Sequence, residues 1–186
     1  MNNIMAFEDK NPEIGAGTWI HPATTIIGDV QLGKDVSVWP GVIMRGDVHQ
    51  IVVGDRTNIQ DGSIIHVTSH GRLNDAGFPT IIGSDVTIGH GVMLHGCIVE
   101  EATLIGMRAI LLDGARVEKH AILGAGALLA PGKVVKSGEL WMGSPARKVR
   151  TLSDAEIEGL YRSAAQYVAL KDRYLKDDAR KDAEMK

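Results

Sequence analysis

An aliphatic side chain returns every sixth residue along most of this chain. From Val99 it recurs at Ile105, Leu111, Val117, Leu123, Leu129 and Val135. The same phase runs through Ile14, Ile20, Ile26, Leu32, Val38 and Met44, then Val53, Ile59 and Ile65, then Ile82, Ile88 and Leu94. A helix repeats its buried face every 3.6 residues and a strand every 2, so neither element alone accounts for a period of six. A short strand followed by a turn does. Three such blocks, about 18 residues, close one triangular coil, and stacked coils bury the repeated aliphatics inside a prism. The fifth residue of a block is small or β-branched, as at Thr18, Val36, Val86, Ala109, Ala115, Ala121 and Ala127, because it must fit beside the aliphatic. Glycine often follows the aliphatic, as at Gly15, Gly33, Gly54, Gly83, Gly89, Gly106 and Gly124, which suggests a flexible turn residue. The positions named make 19 blocks. At about 4.8 Å per strand they predict about six coils and a prism roughly 30 Å tall. The expected class is an all-β solenoid, a parallel β-helix.

Two insertions interrupt the rhythm. His49–Val52 is short, and residues 67–81 (VTSHGRLNDAGFPTI) form a loop extruded from the solenoid; long loops on a regular scaffold are where function concentrates. The β-helix is assigned to residues 1–150. Residues 151–186 change character: Ser153 and Glu156 form a capping box, and Ile157, Leu160, Tyr161, Ala164, Tyr167, Val168 and Leu175 follow helical spacing. A single C-terminal helix over about 153–175 is expected, with its apolar stripe on the prism or a neighbour and a frayed, charged tail.

Composition narrows the function classes. The net charge is −3, and no basic surface argues for nucleic acid. No apolar run approaches the ~18 residues that span a bilayer. A single cysteine, Cys97, allows no internal disulfide and suits a reducing compartment, so a cytoplasmic protein is expected.

Chemistry concentrates in the histidines. His66 follows Ile65 and His95 follows Leu94, so both occupy the outward second slot of a block, and His90 takes a third slot. If the loop replaces one block, position 94 lies one full coil beyond 65. His95 then stacks on His66 at about 4.8 Å, close enough for the two rings to share one ion, while His90 falls on the adjacent face. Prisms packed about a threefold axis would let a neighbour's His90 complete the set. The segment 44–68 adds Arg45, Asp47, Asn58, Gln60 and Asp61. Arg45 and Asp61 are spaced for an arginine–carboxylate pair, within or between chains, and Gln60 offers an amide for a bound water or an oxyanion. His70 in the loop is a further candidate. Cys97 reads as a buried structural thiol rather than a fourth ligand.

At RGDV (45–48), GDRTNIQDG (54–62), HVT (66–68), IGHGVMLHGC (88–97), LIGMRAILLDGA (104–115) and GSPARKVR (143–150) the sequence resembles the γ-class carbonic anhydrases, in their compact bacterial branch. The resemblance implies a left-handed β-helix with a C-terminal helix. It also implies a homotrimer with a metal, usually zinc (Fe2+ or Co2+ suit the same imidazoles), held between subunits by His66, His90 and His95. It places a salt-bridging pair on Arg45 and Asp61, a water-positioning glutamine on Gln60, and supporting residues on Asp47 and Asn58. A tyrosine beside the metal would be Tyr161 or Tyr167. The implied reaction is reversible hydration of CO2 to bicarbonate by a metal-bound hydroxide. The extruded loop lacks the glutamates that move protons in the family's archetype; Asp75 and His70 are its titratable groups, so slow turnover is expected. The alternatives are a hexapeptide-repeat acyltransferase with a histidine base and acyl-CoA, a thioesterase on the same metal, and a metal-binding scaffold without catalysis.

Overall fold

The computed structural model describes residues 3–71 and 75–184. Short parallel strands stack into three columns, one on each face of a triangular prism. The first column aligns Ile4, Ile26, Met44, Ile65, Leu94, Leu111 and Leu129. The second aligns Ile14, Leu32, Val53, Ile82, Val99, Val117 and Val135. The third aligns Ile20, Val38, Ile59, Ile88, Ile105, Leu123 and Trp141. The nineteen aliphatics of the repeat are all present, and Ile4 and Trp141 complete three columns of seven. The fold is the left-handed parallel β-helix of hexapeptide-repeat proteins. Apart from the end rungs Ile4, Ile14, Ile20 and Trp141, every column residue is at most 4% exposed, each burial contributing about 1.5–3 kcal/mol.

The fifth-position residues Ala109, Ala115, Ala121 and Ala127 are fully buried beside the columns. The chain turns at the fourth position, which carries the left-handed backbone: φ is 56° at Asp35, 57° at Arg108 and 69° at Gly114. The second-position glycines serve a different purpose from the turn flexibility expected of them. A Cβ on Gly106 would lie 2.4 Å from the backbone nitrogen of Ala125 in the next coil, so glycine there permits close stacking of the coils.

All three breaks in the period fall at one corner, between the first and second columns. The strand Ile43–Val53 runs through that corner, and its register with Thr25–Leu32 shifts where Asp47–Gln50 bulges out. One coil further on, the extruded loop leaves after Ile65 and returns at Ile82. It is closed at its base by paired backbone hydrogen bonds between Thr68 and Phe78, 3.0 Å each. In the following coil the corner is one residue short, between Leu94 and Val99. Phe78 packs over Gly96 and Gly114, where an added Cβ would meet its Cβ at 2.7 Å and its ring at 3.1 Å.

The chain ends in one helix, α1 (Asp154–Glu184). Its start is the expected capping box: Ser153 N–H donates to Glu156 Oε2 (2.8 Å), and Glu156 N–H donates to Ser153 Oγ (3.3 Å). It packs on the third face of its own prism, against Trp19–Ile20, Ser37–Val38, Asn58–Ile59 and Thr87–Ile88. Trp19, Trp39, Tyr167 and Tyr174 interlock there, with ring centroids 4.7–5.8 Å apart. The helix does not end near 175. Asp178 accepts the Trp19 indole N–H at 2.9 Å, a tertiary anchor beyond residue 175, and Asp177 pairs with Lys181 one turn on at 2.6 Å, supporting the helix toward Glu184. Lys171, 1% exposed, fixes the middle of the helix through Asp35 (2.9 Å) and Asp172 (2.5 Å). Burial pulls its pKa down, but these two carboxylates outweigh burial and leave it raised. No helix among the described residues is long and apolar enough to cross a membrane.

Enlarging a fifth-position residue should overfill the prism. Ala121→Leu is expected to destabilise the fold by about 1–3 kcal/mol, read as a lower midpoint of urea unfolding.

Candidate metal centre

The strands Ile64–His66 and Met93–His95 pair in parallel register, His95 directly opposite His66. Because both residues sit just past a buried aliphatic, both rings leave the prism at the irregular corner. Nδ1 of His66 and Nε2 of His95 face each other at 3.1 Å. Each ring is also held by a carboxylate from a neighbouring coil. His66 Nε2 lies 3.2 Å from Asp47 Oδ1, and His95 Nδ1 lies 2.7 Å from Asp113 Oδ1. Thr68 Oγ1 donates to the same Asp113 oxygen at 2.9 Å, and Arg45 donates to Asp47 Oδ2 at 2.5 Å.

This arrangement favours one tautomer of each neutral ring. A carboxylate accepts, so the outer nitrogens carry hydrogen and the two facing nitrogens present bare lone pairs. Two lone pairs aimed at each other repel unless a cation lies between them. Tetrahedral zinc with Zn–N of about 2.0–2.1 Å spaces two nitrogens about 3.3 Å apart, close to the observed gap. Carboxylate-tethered imidazoles are also the usual surroundings of metal-bound histidine. Burial lowers the His66 pKa, as do the charges of Arg45 and His95, while Asp47 opposes the shift; the net effect favours the neutral ring that a metal requires. At Asp47 burial raises the pKa, but hydrogen bonds from Arg45 and His66 and the Arg45 charge outweigh it and hold the carboxyl below its ordinary value. The pair therefore fits a divalent cation.

The third histidine is elsewhere within the chain. His90 lies at the next corner, between the third and first columns, where its Nδ1 is 2.8 Å from Asp61 Oδ2. Both side chains are about half exposed. Among the described residues of one chain, no three His, Cys, Asp or Glu side chains converge on a metal position. Gln60 precedes Asp61 at this second corner, is 5% exposed, and donates to Asn58 Oδ1 at 3.1 Å. Asn58 in turn donates to Thr87 Oγ1 at 3.0 Å, and that hydroxyl meets Ser163 of α1 at 3.0 Å. Gln60, His90, Met107 and Tyr167 line a cavity of about 400 Å3. The candidate residues thus form two half-sites on two corners: Arg45, Asp47, His66 and His95 on one, Asn58, Gln60, Asp61 and His90 on the other.

The structure narrows three expectations. Arg45 does not pair with Asp61 inside the chain: the bulge of Asp47–Gln50 brings Asp47 to Arg45, and Asp61, one corner away, takes His90. Tyr161 does not contact His66, His90 or His95. Its hydroxyl meets His120 Nε2 at 2.9 Å and donates to Glu101 at 3.4 Å, because α1 carries it to the far part of the third face. Tyr167 is the tyrosine at the His90 corner, and burial raises its pKa with help from the Asp61 charge. His70 does not touch the imidazole pair; it stacks on His49. Asp113 and Thr68 were missed as site residues. The register pairs Leu94 with Leu111, so His95 aligns with Leu112, and Asp113, one residue further along, reaches its ring from the next coil.

Comparison with known proteins supports the same reading. Residues 11–46 match the model described as bacterial transferase hexapeptide (six repeats). Protein YrdA of Escherichia coli is 52% identical over 92% of this chain and 94% of its own length. A carbonic anhydrase of Geobacillus kaustophilus is 40% identical over 93% of this chain and 91% of its own. The chain belongs to the γ-class carbonic anhydrase family. Among solved structures, a putative acetyltransferase from Bacillus cereus superposes with a TM-score of 0.85 at 36% identity, over 92% of this chain and 95% of that one. The chain thus resembles proteins described as carbonic anhydrases in sequence and one described as a putative acetyltransferase in structure.

Cys97 is fully buried two residues beyond His95, and burial raises its thiol from the ordinary 9.0 to about 12. The native state keeps this proton while an unfolded chain loses it, so the contribution to stability is complete below about pH 9 and is lost as pH rises toward 12. Native protein should resist alkylation at pH 8, as read by mass spectrometry, and take up one equivalent after unfolding.

Proposed function

We propose that this protein catalyses reversible hydration of CO2 at a metal centre shared between two protomers of a homotrimer. His66 and His95 come from one protomer and His90 from the next. The observation that carries the proposal is the pair of facing, carboxylate-tethered imidazole nitrogens 3.1 Å apart, with the only other family ligand exposed on a different corner. When bound, a divalent cation such as zinc supplies Lewis acidity that makes water a nucleophile near neutral pH.

The residues of the chain supply the rest. Asp47 and Asp113 accept from the outer nitrogens of His66 and His95 and so orient the two ligating nitrogens toward one position. Asp61 does the same for His90 by engaging its Nδ1. Gln60, its amide oriented by Asn58, would point its polar head at the water or at bicarbonate oxygen, and it enters the site with the His90 half. Arg45 provides positive charge for the bicarbonate on the His66 half. Across the seam it also meets the corner that carries Asp61, so the pair expected from the sequence would form between chains. The buried thiol of Cys97 fits a reducing, cytoplasmic setting.

A second reading rests on the His95–Asp113 contact of 2.7 Å, which is also the geometry of a general base and its orienting acid. With the acetyltransferase likeness it supports acyl transfer. Protection against thermal unfolding by acetyl-CoA in metal-free protein, without hydratase activity, would select that reading.

His66→Ala and His90→Ala should each abolish stoichiometric metal binding and lower CO2 hydration roughly 100-fold or more. Co-refolding the two variants should restore part of both, because a mixed trimer contains seams with a full set of three. Failure to complement would show that the histidines do not act across a seam. Asp113→Ala should weaken metal affinity by about 10–100-fold, measured by chelator competition.

A further inference from the structure

The outward row of the third face reads Trp19, Ser37, Asn58, Thr87 and Leu104 in register, and α1 packs over its first four members. Asn58 and Thr87 stand directly opposite each other in adjacent strands and are 0% and 6% exposed. Aliphatic side chains would suffice to seat a helix there, whereas buried polar groups cost stability unless each is bonded. These are bonded, and in one series. Gln60 Nε2 donates to Asn58 Oδ1 at 3.1 Å, Asn58 Nδ2 donates to Thr87 Oγ1 at 3.0 Å, and Thr87 Oγ1 lies 3.0 Å from Ser163 Oγ of the helix. The series runs from the corner of His90 to α1, and Gln60, Thr87 and Ser163 all border the cavity beside His90.

A backbone group outside the site gives the series its direction. The Val86 carbonyl can only accept, and Asn58 Nδ2 donates to it at 3.3 Å. Turning the Asn58 amide over would set two oxygens against each other, so Nδ2 faces Val86 and Thr87, and Oδ1 faces Gln60. Oδ1 also only accepts, so Gln60 must offer it Nε2, which leaves Oε1 as the amide atom turned away from Asn58. The Val86 oxygen already takes the Asn58 backbone N–H at 3.0 Å, so Thr87 Oγ1 is the nearer acceptor for Nδ2. Thr87 fills that part while its own hydroxyl hydrogen is drawn to Ser163.

We infer that Thr87 and Ser163 are positioning residues that set the Gln60 amide through Asn58, so that helix α1 fixes which atom Gln60 presents beside His90. The consequence for catalysis rests on the hydratase reading of the site. With the amide locked, Gln60 offers Oε1 as an acceptor for the O–H of water or bicarbonate. A reversed amide would meet that O–H with another hydrogen. Pre-set acceptors and donors of this kind cost no reorganisation when the reaction occurs. Ser163 and Tyr167 are one helical turn apart, and both border the cavity, so α1 acts on the His90 corner through a hydroxyl as well as through an aromatic ring.

Ser163→Ala removes the last hydroxyl of the series at no cost to the helix, because alanine is the best helix former. Thr87→Val removes the middle hydroxyl and keeps the branched shape. In metal-loaded, full-length protein each should lower kcat/KM for CO2 about 5-fold, with metal content unchanged and no recovery on adding imidazole buffer. Thr87→Ser, which keeps the hydroxyl, should retain most of the wild-type value. Neither Ser163→Ala nor Thr87→Val should lower kcat/KM further once Gln60 is replaced by alanine. In metal-free protein, where turnover plays no part, both should move the NMR signals of the Gln60 side-chain NH2, which is hydrogen-bonded to neither residue. Unchanged kcat/KM, a loss undiminished in the Gln60→Ala background, or Gln60 signals indifferent to both substitutions would overturn the positioning. Wild-type protein that binds metal but hydrates no CO2 in any buffer would instead overturn the hydratase reading, and the Gln60 amide signals would then decide the positioning by themselves.

Discussion

Every rung of the prism is hydrogen-bonded to the rung above in parallel register, with its aliphatic residue pointing inward. That register makes any side chain at a given slot repeat along a column at strand spacing. One slip would turn a buried column outward, so the columns from Ile26 to Leu129 and from Ile59 to Leu123 lock the alignment of everything mounted on their outer side. His66 and His95 meet because Ile65 and Leu94 are stacked, and Asp113 reaches His95 because Leu111 is the next rung. The scaffold therefore supplies precision that two exposed imidazoles could not hold by themselves.

Irregularity is confined to one corner, and the chemistry gathers there. A regular coil leaves no room for a bulge carrying Asp47, a loop base carrying Thr68, or a shortened turn after His95. The three departures occur in successive coils, where they can pack on one another, and Phe78 over Gly96 and Gly114 closes the joint. The electrostatics follow from this packing. Asp47 is held ionised by Arg45 and His66 against the pull of burial, and burial keeps His66 neutral. Two acceptor carboxylates then leave two lone pairs facing one position.

A single chain carries each half of the site on a different corner, and a prism face separates them. If the two halves serve one site, as proposed, the half with His66 and His95 and the half with His90 and Gln60 can meet only where a corner of one prism abuts the other corner of a second copy. The aromatic cluster under α1 occupies the third face, and Tyr167 from that helix borders the corner that carries His90.

Much of this was legible in the residues. The period of six is a packing rule that each block obeys locally, so the solenoid, its inward aliphatics and its small fifth positions could be read without coordinates, as could the stacking of His66 and His95 and the capping box at Ser153. Other features depend on contacts between distant segments. The positive-φ turn at the fourth position is shared by Asp, Arg, Ala, His and Gly, and so has no residue signature. The partnership of Arg45 with Asp47, the removal of Tyr161 to His120, the extension of α1 through Trp19 and Asp178, and the meeting of His49 with His70 were decided by tertiary structure. Each of these depends on how an insertion or a helix is carried across the surface of the prism, and no short-range pattern encodes that path.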